Sequence, residues 1–347
     1  MPSIVRLLCS GAALLCLICS CGQPAADSAP AATPTHAYLP SITTPSVVPN
    51  PPTQTVKLIF IHHSSGENWL ADEHGGLGVA LANNNYFVSD TNYGWGPPDE
   101  DAGFDLIGDH TDIGHWFSWF AGPQRDTYLE ALYAESEQHA GYTRLQSDPG
   151  GANQIVMFKS CFPNSNLMGD PNDPPSSGDN PLRGQDSGSE AMTVANVKGI
   201  YNNILAYFAT RQDKLFIVIT APPLQDGTWG ANARAFNRWL VEEWLDNYSY
   251  PNVFVFDFYN VLTSNGGSWR TNDLGRATGN HHRWRDGALQ YVTDQGRNTT
   301  AYPDGGNDDH PSPVGNQKAS GEFVPLLNLA YDRWHAAQTA PALAPVP

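Results

Sequence analysis

The sequence predicts an α/β domain built on a doubly wound parallel sheet of about five strands. Three observations predict it. Five short apolar runs recur along the chain, each continuous rather than alternating, as strands covered on both faces require. Stretches with helical spacing separate them, as a succession of βαβ units demands. The span from 56 to 338 is long enough for one large domain carrying sizeable insertions.

The elements follow in order. Val56 to Ile61 is the first strand, and an Ala/Leu-containing helix covers Leu77 to Asn83. Tyr86 to Ser89 is the second strand, Gln154 to Lys159 the third, Leu215 to Thr220 the fourth and Asn252 to Asp257 the fifth. Met192 to Arg211 places Val194, Val197, Ile200, Ile204, Leu205 and Phe208 near helical spacing. Ala231 to Leu245 is amphipathic, with Phe236, Leu240 and Trp244 on one side, and Gly315 to Trp334 closes the domain. Three insertions remain: Gly94 to Gly122, Asn164 to Ser189 and Thr263 to Gly306. Long loops in a compact domain are commonly functional, and doubly wound sheets bind ligands beyond the carboxyl ends of their strands. These loops are therefore the expected walls of a cleft.

The ends read differently. Arg6 precedes an apolar run, Leu7 to Ile18, too short to span a membrane comfortably. It leads into Ile18-Cys19-Ser20-Cys21-Gly22, similar to a bacterial lipobox, so residues 1–20 are expected to be a lipoprotein signal. Cys21 is the expected lipidation site and Cys19 the alternative; an ordinary secretory signal is the simpler reading of the same pattern. Residues 21–55, rich in Pro, Ala, Ser and Thr, cannot bury enough apolar surface to fold and read as a tether. Residues 339–347 are a similar tail. The expected location is extracytoplasmic, lipid-anchored or secreted. Of five cysteines, Cys9, Cys16 and Cys19 would leave with the signal and Cys21 would carry lipid. Cys161 then stands alone, with no intrachain disulfide available.

A net charge of −17 argues against nucleic acid and anionic membrane surfaces as partners. The expected membrane link is the lipid anchor alone. Ten tryptophans and fourteen tyrosines are compatible with sugar-stacking surfaces, but core packing is the expected role of most of them.

Two segments carry chemistry. The first strand runs into His62-His63-Ser64-Ser65-Gly66, and Asn307-Asp308-Asp309-His310-Pro311-Ser312 precedes the last helix. A serine needs a nearby base to become a nucleophile, and folding can bring these two together. The plainer reading of Ser64 is a cap for the next helix. In order and placement these segments resemble the SGNH (GDSL-like) hydrolase family. Asn92-Tyr93-Gly94 after strand two, Asn164 after strand three, and His310-Pro311-Ser312-Pro313-Val314-Gly315 fall in that family's order. Thr220-Ala221-Pro222-Pro223-Leu224 and Asn232-Ala233-Arg234 with Phe236-Asn237 extend the resemblance.

The resemblance implies a three-layer α/β/α sandwich with a flavodoxin-like sheet, and an esterase needing no cofactor. It implies Ser64 as nucleophile, with Ser65 as the register alternative, and His310 as base. The oxyanion would be held by Ser64, Gly94 and Asn164, with Asn166 as the alternative asparagine. His62-His63 stands where the family has Gly-Asp or Gly-Asn, and the third block lacks Gly-x-Asn-Asp. Asn307 stands where the family's Asp would be, so the supporting acid is sought at Asp308, with Asp309 and Asp304 as alternatives. The expected substrate is an ester-bearing small molecule or an acetylated glycan, the latter on family habit. Cys161 is a rival nucleophile by type.

Two other classes stand beside this reading. Asp109, His110, Asp112, His115 and the pairs His62-His63 and His281-His282 supply metal-ligand types for a metal-dependent hydrolase, without a recognised ligand spacing. No catalytic metal is expected from the main reading; a structural calcium would suit the acidic loops. A glycan-binding surface module without catalysis is the third class.

Overall fold

A computed structural model describes residues 49–97, 106–226, 228–264, 281–292 and 308–339. The signal segment with Cys19 and Cys21, nearly all of the tether and tail, and Asp304 lie outside the described residues. Within them, five strands form one all-parallel sheet: β1 (Val56–Ile61), β2 (Tyr86–Thr91), β3 (Ile155–Lys159), β4 (Leu215–Ile219) and β5 (Val253–Phe256). Their spatial order is β2-β1-β3-β4-β5, the order of flavodoxin-like sheets. All five predicted strands are present within two residues of their expected ends. Every strand residue is buried, which explains why the runs are apolar throughout.

Helices make the outer layers. On one side α1 (Ser65–Leu70), α2 (Leu77–Ala82) and α8 (Pro313–Thr339) pack together. On the other, α3 (His115–Phe120) packs against α4 (Arg125–Ala134) and α5 (Val194–Phe208), and α5 packs against α6 (Gly230–Glu242). Beyond β5, α7 (Phe258–Thr263) touches both α6 and α8. Helices α1, α3, α4 and α7 are unforeseen by periodicity because most span six residues, too few to display a 3.6-residue repeat. Thr193 caps α5 by accepting the Asn196 N–H, and Asp257 caps α7 by accepting that of Asn260.

Most of the aromatic content is core. Phe158 of β3 meets Trp116, Phe120 and Phe208 at ring separations of 5.0, 5.1 and 6.0 Å. Trp69 fills the opposite layer, 4.7 Å from Phe258 and 5.4 Å from Phe323. Its indole N–H donates to Ser320 Oγ at 2.9 Å and so ties α1 to α8. Each such side chain contributes about 1.5–3 kcal/mol by leaving water.

The third insertion holds an antiparallel hairpin, β6 (His281–Arg285) and β7 (Ala288–Val292), turning on Asp286-Gly287. Both turn residues have positive φ, 54° and 75°, as a two-residue type I′ turn requires. His281 is buried and pairs with Glu322 of α8. Among the described residues no group of three or more His, Cys, Asp or Glu is placed to hold a metal ion. Among them, too, no helix is long and apolar enough to cross a membrane.

One glycine is demanded by the turn after β1. A Cβ on Gly66 would lie 2.4 Å from the His62 Cβ and 2.6 Å from its Cγ, and His62 is wholly buried. Gly66→Ala is expected to destabilise the fold by about 1–3 kcal/mol through overpacking, read as a lowered urea midpoint at unchanged m-value.

Candidate active site

The strand order reverses at β1, which connects outward to β2 before the chain returns to β3. Ligand clefts open at the carboxyl ends of strands at such a switch point. Ser64 follows β1 there, Cys161 follows β3, and the segment before α8 delivers His310.

Ser64 turns the chain from strand into helix with φ 37° and ψ −91°, a conformation that L residues other than glycine rarely adopt. Holding it costs about 1–3 kcal/mol, strain of the kind that gathers at functional turns. The turn directs Ser64 Oγ to His310 Nε2, 2.6 Å away. On the far side of the imidazole, Asp308 Oδ1 lies 2.7 Å from Nδ1 and also accepts the His310 backbone N–H at 3.0 Å. Those two hydrogen bonds hold the Asp308 carboxyl below its ordinary pKa, so it accepts and Nδ1 donates. Nε2 is then left with its lone pair toward the serine hydroxyl.

Local chemistry sets this geometry. Ser312 Oγ accepts the Gly315 N–H at the start of α8, and Asn316 Nδ2 donates to Pro311 O, which pins the segment on both sides of Pro311. Asp309 points the other way and accepts the Gln225 N–H at 2.9 Å, while the Gln225 side-chain amide donates to Asp308 O. Of the acids open for the role, Asp308 is thus the one on the imidazole, Asp309 serves the loop after β4, and Asp304 is not described. Phe162 meets the His310 ring edge-on at 4.9 Å.

Ser65 occupies a different place. It is wholly buried, donates to Cys161 Sγ at 3.2 Å and accepts from Lys159 Nζ. Cys161 Sγ is also 3.3 Å from Ser64 Oγ. Burial pushes the Cys161 thiol up, but His310, the Lys159 ammonium and the two serine hydroxyls outweigh it and bring the pKa down to about 6. His310 is raised, most by its hydrogen bond with Cys161, with burial opposing and Asp308 adding to the rise. Lys159 is driven down to about 8 by burial, its remaining acceptor being Ser160 O at 3.0 Å.

A stability prediction follows from that lysine. Its folded pKa lies below the ordinary 10.5, so between about pH 8 and 10.5 the unfolded chain binds more protons and stability rises with pH. Cys161, held low partly by the same ammonium, adds in the same direction between about 6 and its ordinary 9. Lys159→Met is expected to flatten this rise; urea titrations of both proteins at pH 7.5 and 9.5 measure it.

The two other expected oxyanion donors are committed elsewhere. The Gly94 N–H donates to Asp109 Oδ1 at 3.0 Å. Asn164 is buried, its amide donating to Asp112 Oδ1 and Cys161 O while its oxygen accepts the Ile113 N–H at 2.8 Å. Asp112 also accepts the Ser187 N–H, so Asn164 braces the first insertion against the second. Both departures have one cause: these loops carry carboxylates, Asp109 and Asp112, and an ionised acceptor makes the stronger hydrogen bond. Asn166, the alternative, is exposed at the end of the short 3-10 turn Phe162–Ser165.

The double histidine divides its tasks. His62 Nε2 pairs with buried Asp90 at 3.1 Å, and Asp90 also accepts from Tyr142 and the His139 N–H. His63 is only partly buried; its ring stacks on Tyr93 at 4.9 Å and Nδ1 lies 3.1 Å from the Tyr93 hydroxyl. Burial, then the Lys159 charge, lowers the His63 pKa to about 4. His110 and His115 sit ring to ring at 4.7 Å.

No family model matches this chain, and no curated protein matches it. The site therefore rests on its own geometry. Sequence reasoning passed over Lys159, Gln225 and the side chain of Tyr93. A lysine ending an otherwise apolar strand was the signal for the first; nothing local marks Gln225, whose partners lie more than eighty residues away.

Proposed function

We propose that the protein is a serine esterase of the SGNH type, cleaving carboxylic esters outside the cytoplasm while anchored through Cys21. The observation that carries this reading is the unbroken line from Ser64 Oγ through the His310 imidazole to Asp308, at 2.6 and 2.7 Å, beyond the carboxyl end of the sheet. A serine that only capped α1 would need neither the imidazole nor the strained turn, and no side-chain cap bond is made there.

His310 Nε2 takes the Ser64 proton as Oγ attacks the ester carbonyl. Asp308 keeps the imidazole in the required tautomer and stabilises the imidazolium. The tetrahedral oxyanion collapses with cleavage of the C–O bond, and the imidazolium gives its proton to the departing alkoxide. Water, deprotonated by His310, then releases the acid from Ser64. The Ser64 backbone N–H remains the proposed oxyanion donor from the original three. Acetyl groups on a polysaccharide are the proposed natural esters, a reading supported by the tether and by the aromatic residues of the insertions.

The test uses the full chain with p-nitrophenyl acetate and acetylated xylan, and a fluorophosphonate whose adduct is located by peptide mass spectrometry. Acetate release together with an adduct on Ser64 is expected. An inert chain, or an adduct elsewhere, overturns the proposal.

A further inference from the structure

We infer that the phenol of Tyr93 is a second oxyanion donor of this site beside the Ser64 N–H, oriented by His63. This rests on the esterase reading and deepens it.

An acyl-transfer site needs donors preorganised where negative charge develops, and these are worth most where water is displaced. Two of the three donors expected by resemblance already give their hydrogens to Asp109, Asp112 and the Cys161 carbonyl. Redirecting either would strip a carboxylate of its hydrogen bond. Another donor must therefore lie close to Ser64 Oγ, because the charged oxygen forms on the carbon bonded to it.

Two side chains meet Ser64 Oγ there, and a third meets its neighbour His63. His310 takes the proton, and so is committed. Cys161 lies on the buried side and carries thiolate character, which would repel an oxyanion rather than hold it. Tyr93 remains: its hydroxyl lies 3.1 Å from Nδ1 of His63, the residue next to Ser64, and the side chain is 58 % exposed, so an ester in solvent can reach it. Burial of its hydroxyl end raises the phenol above its ordinary pKa of 10, so it keeps its proton and can donate.

His63 supplies the orientation. Its ring stacks on Tyr93 with 29° between planes, and Nδ1 sits 3.1 Å from the phenol oxygen. A neutral imidazole with the hydrogen on Nδ1 donates to that oxygen, which leaves the phenol's own hydrogen for the substrate. His63 stays neutral across the working range because its pKa is lowered to about 4. It is a positioning residue, acting through Tyr93.

The test compares wild type, Tyr93→Phe, His63→Phe and Ser64→Ala on p-nitrophenyl acetate, together with inhibition by phenylboronic acid, which forms a tetrahedral adduct on a nucleophilic serine. Phe at 93 keeps the ring and its stack. Tyr93→Phe is expected to lower kcat by about 10²-fold at nearly unchanged KM, with a parallel loss of boronate affinity. His63→Phe, which keeps the stack but removes Nδ1, is expected to lower kcat about fivefold. Wild-type turnover that depends on Ser64 but is unchanged in Tyr93→Phe overturns the role of Tyr93 and leaves the esterase standing. A rise in KM alone makes Tyr93 a stacking platform and overturns it equally. No Ser64-dependent turnover in wild type overturns the esterase reading and this inference with it.

Discussion

Ser64→Ala is expected to lower kcat/KM for p-nitrophenyl acetate by on the order of 10⁵-fold, the scale seen when a nucleophilic serine is removed from a hydrolase. Ser65→Ala should lose far less. Ser65 is wholly buried and its hydroxyl bridges Lys159 and Cys161 rather than meeting His310. The comparison decides the register between two adjacent serines, and Cys161→Ser decides the nucleophile. Cys161 shares His310 and approaches Ser64 Oγ, so a thiol mechanism would make its replacement as damaging as that of Ser64. Cys161→Ser is expected to retain most turnover. Equal losses in Ser64→Ala and Ser65→Ala, with an intact fold by circular dichroism, would sink the assignment of Ser64.

His310→Ala is the second large effect, expected at about 10⁴-fold in kcat/KM. Its pH dependence carries more information. The base works only when unprotonated, and His310 is raised above its ordinary 6.5 chiefly by Cys161 and then by Asp308. Activity should therefore climb with pH through a midpoint above 6.5. Cys161→Ser and Asp308→Asn should each move that midpoint downward, because each removes a group that favours the imidazolium. Asp308→Asn should cost roughly 10- to 10²-fold in kcat/KM, less than the ~10⁴ known for a buried acid in this role. The Asp308 side chain is 71 % exposed, and water screens its charge. A midpoint unmoved by both substitutions would remove His310 from the mechanism as described.

Lys159, fully buried beneath the site, lowers both Cys161 and His63 electrostatically. A cation there favours anion build-up in the cleft at a cost in folding stability. That exchange of stability for local field is common at functional sites.

Much of the scaffold was legible in the residues. Continuous apolar runs announce five buried parallel strands because both faces of each are covered, and runs such as Val56–Ile61 kept their bounds. Short helices were not, since α1 and α3 hold six residues each. The hairpin β6–β7 carried a readable signal in Asp286-Gly287 that went unused.

For the site, the sequence by itself determined the cast: a serine after the first strand, a histidine with carboxylates before the last helix, and glycine and asparagine after the second and third strands. Those positions follow from element order, which local patterning encodes. Only the tertiary structure decided which atoms meet. Ser64 and His310 are 246 residues apart and touch because α8 returns to pack on α1 beside the end of β1. The same folding turned Asp309 to Gln225 and committed Gly94 and Asn164 to carboxylates, while it set the Tyr93 hydroxyl on His63, next to Ser64. Hydrogen-bond partners are chosen by distance in space among competing donors and acceptors. No spacing along a chain records that competition.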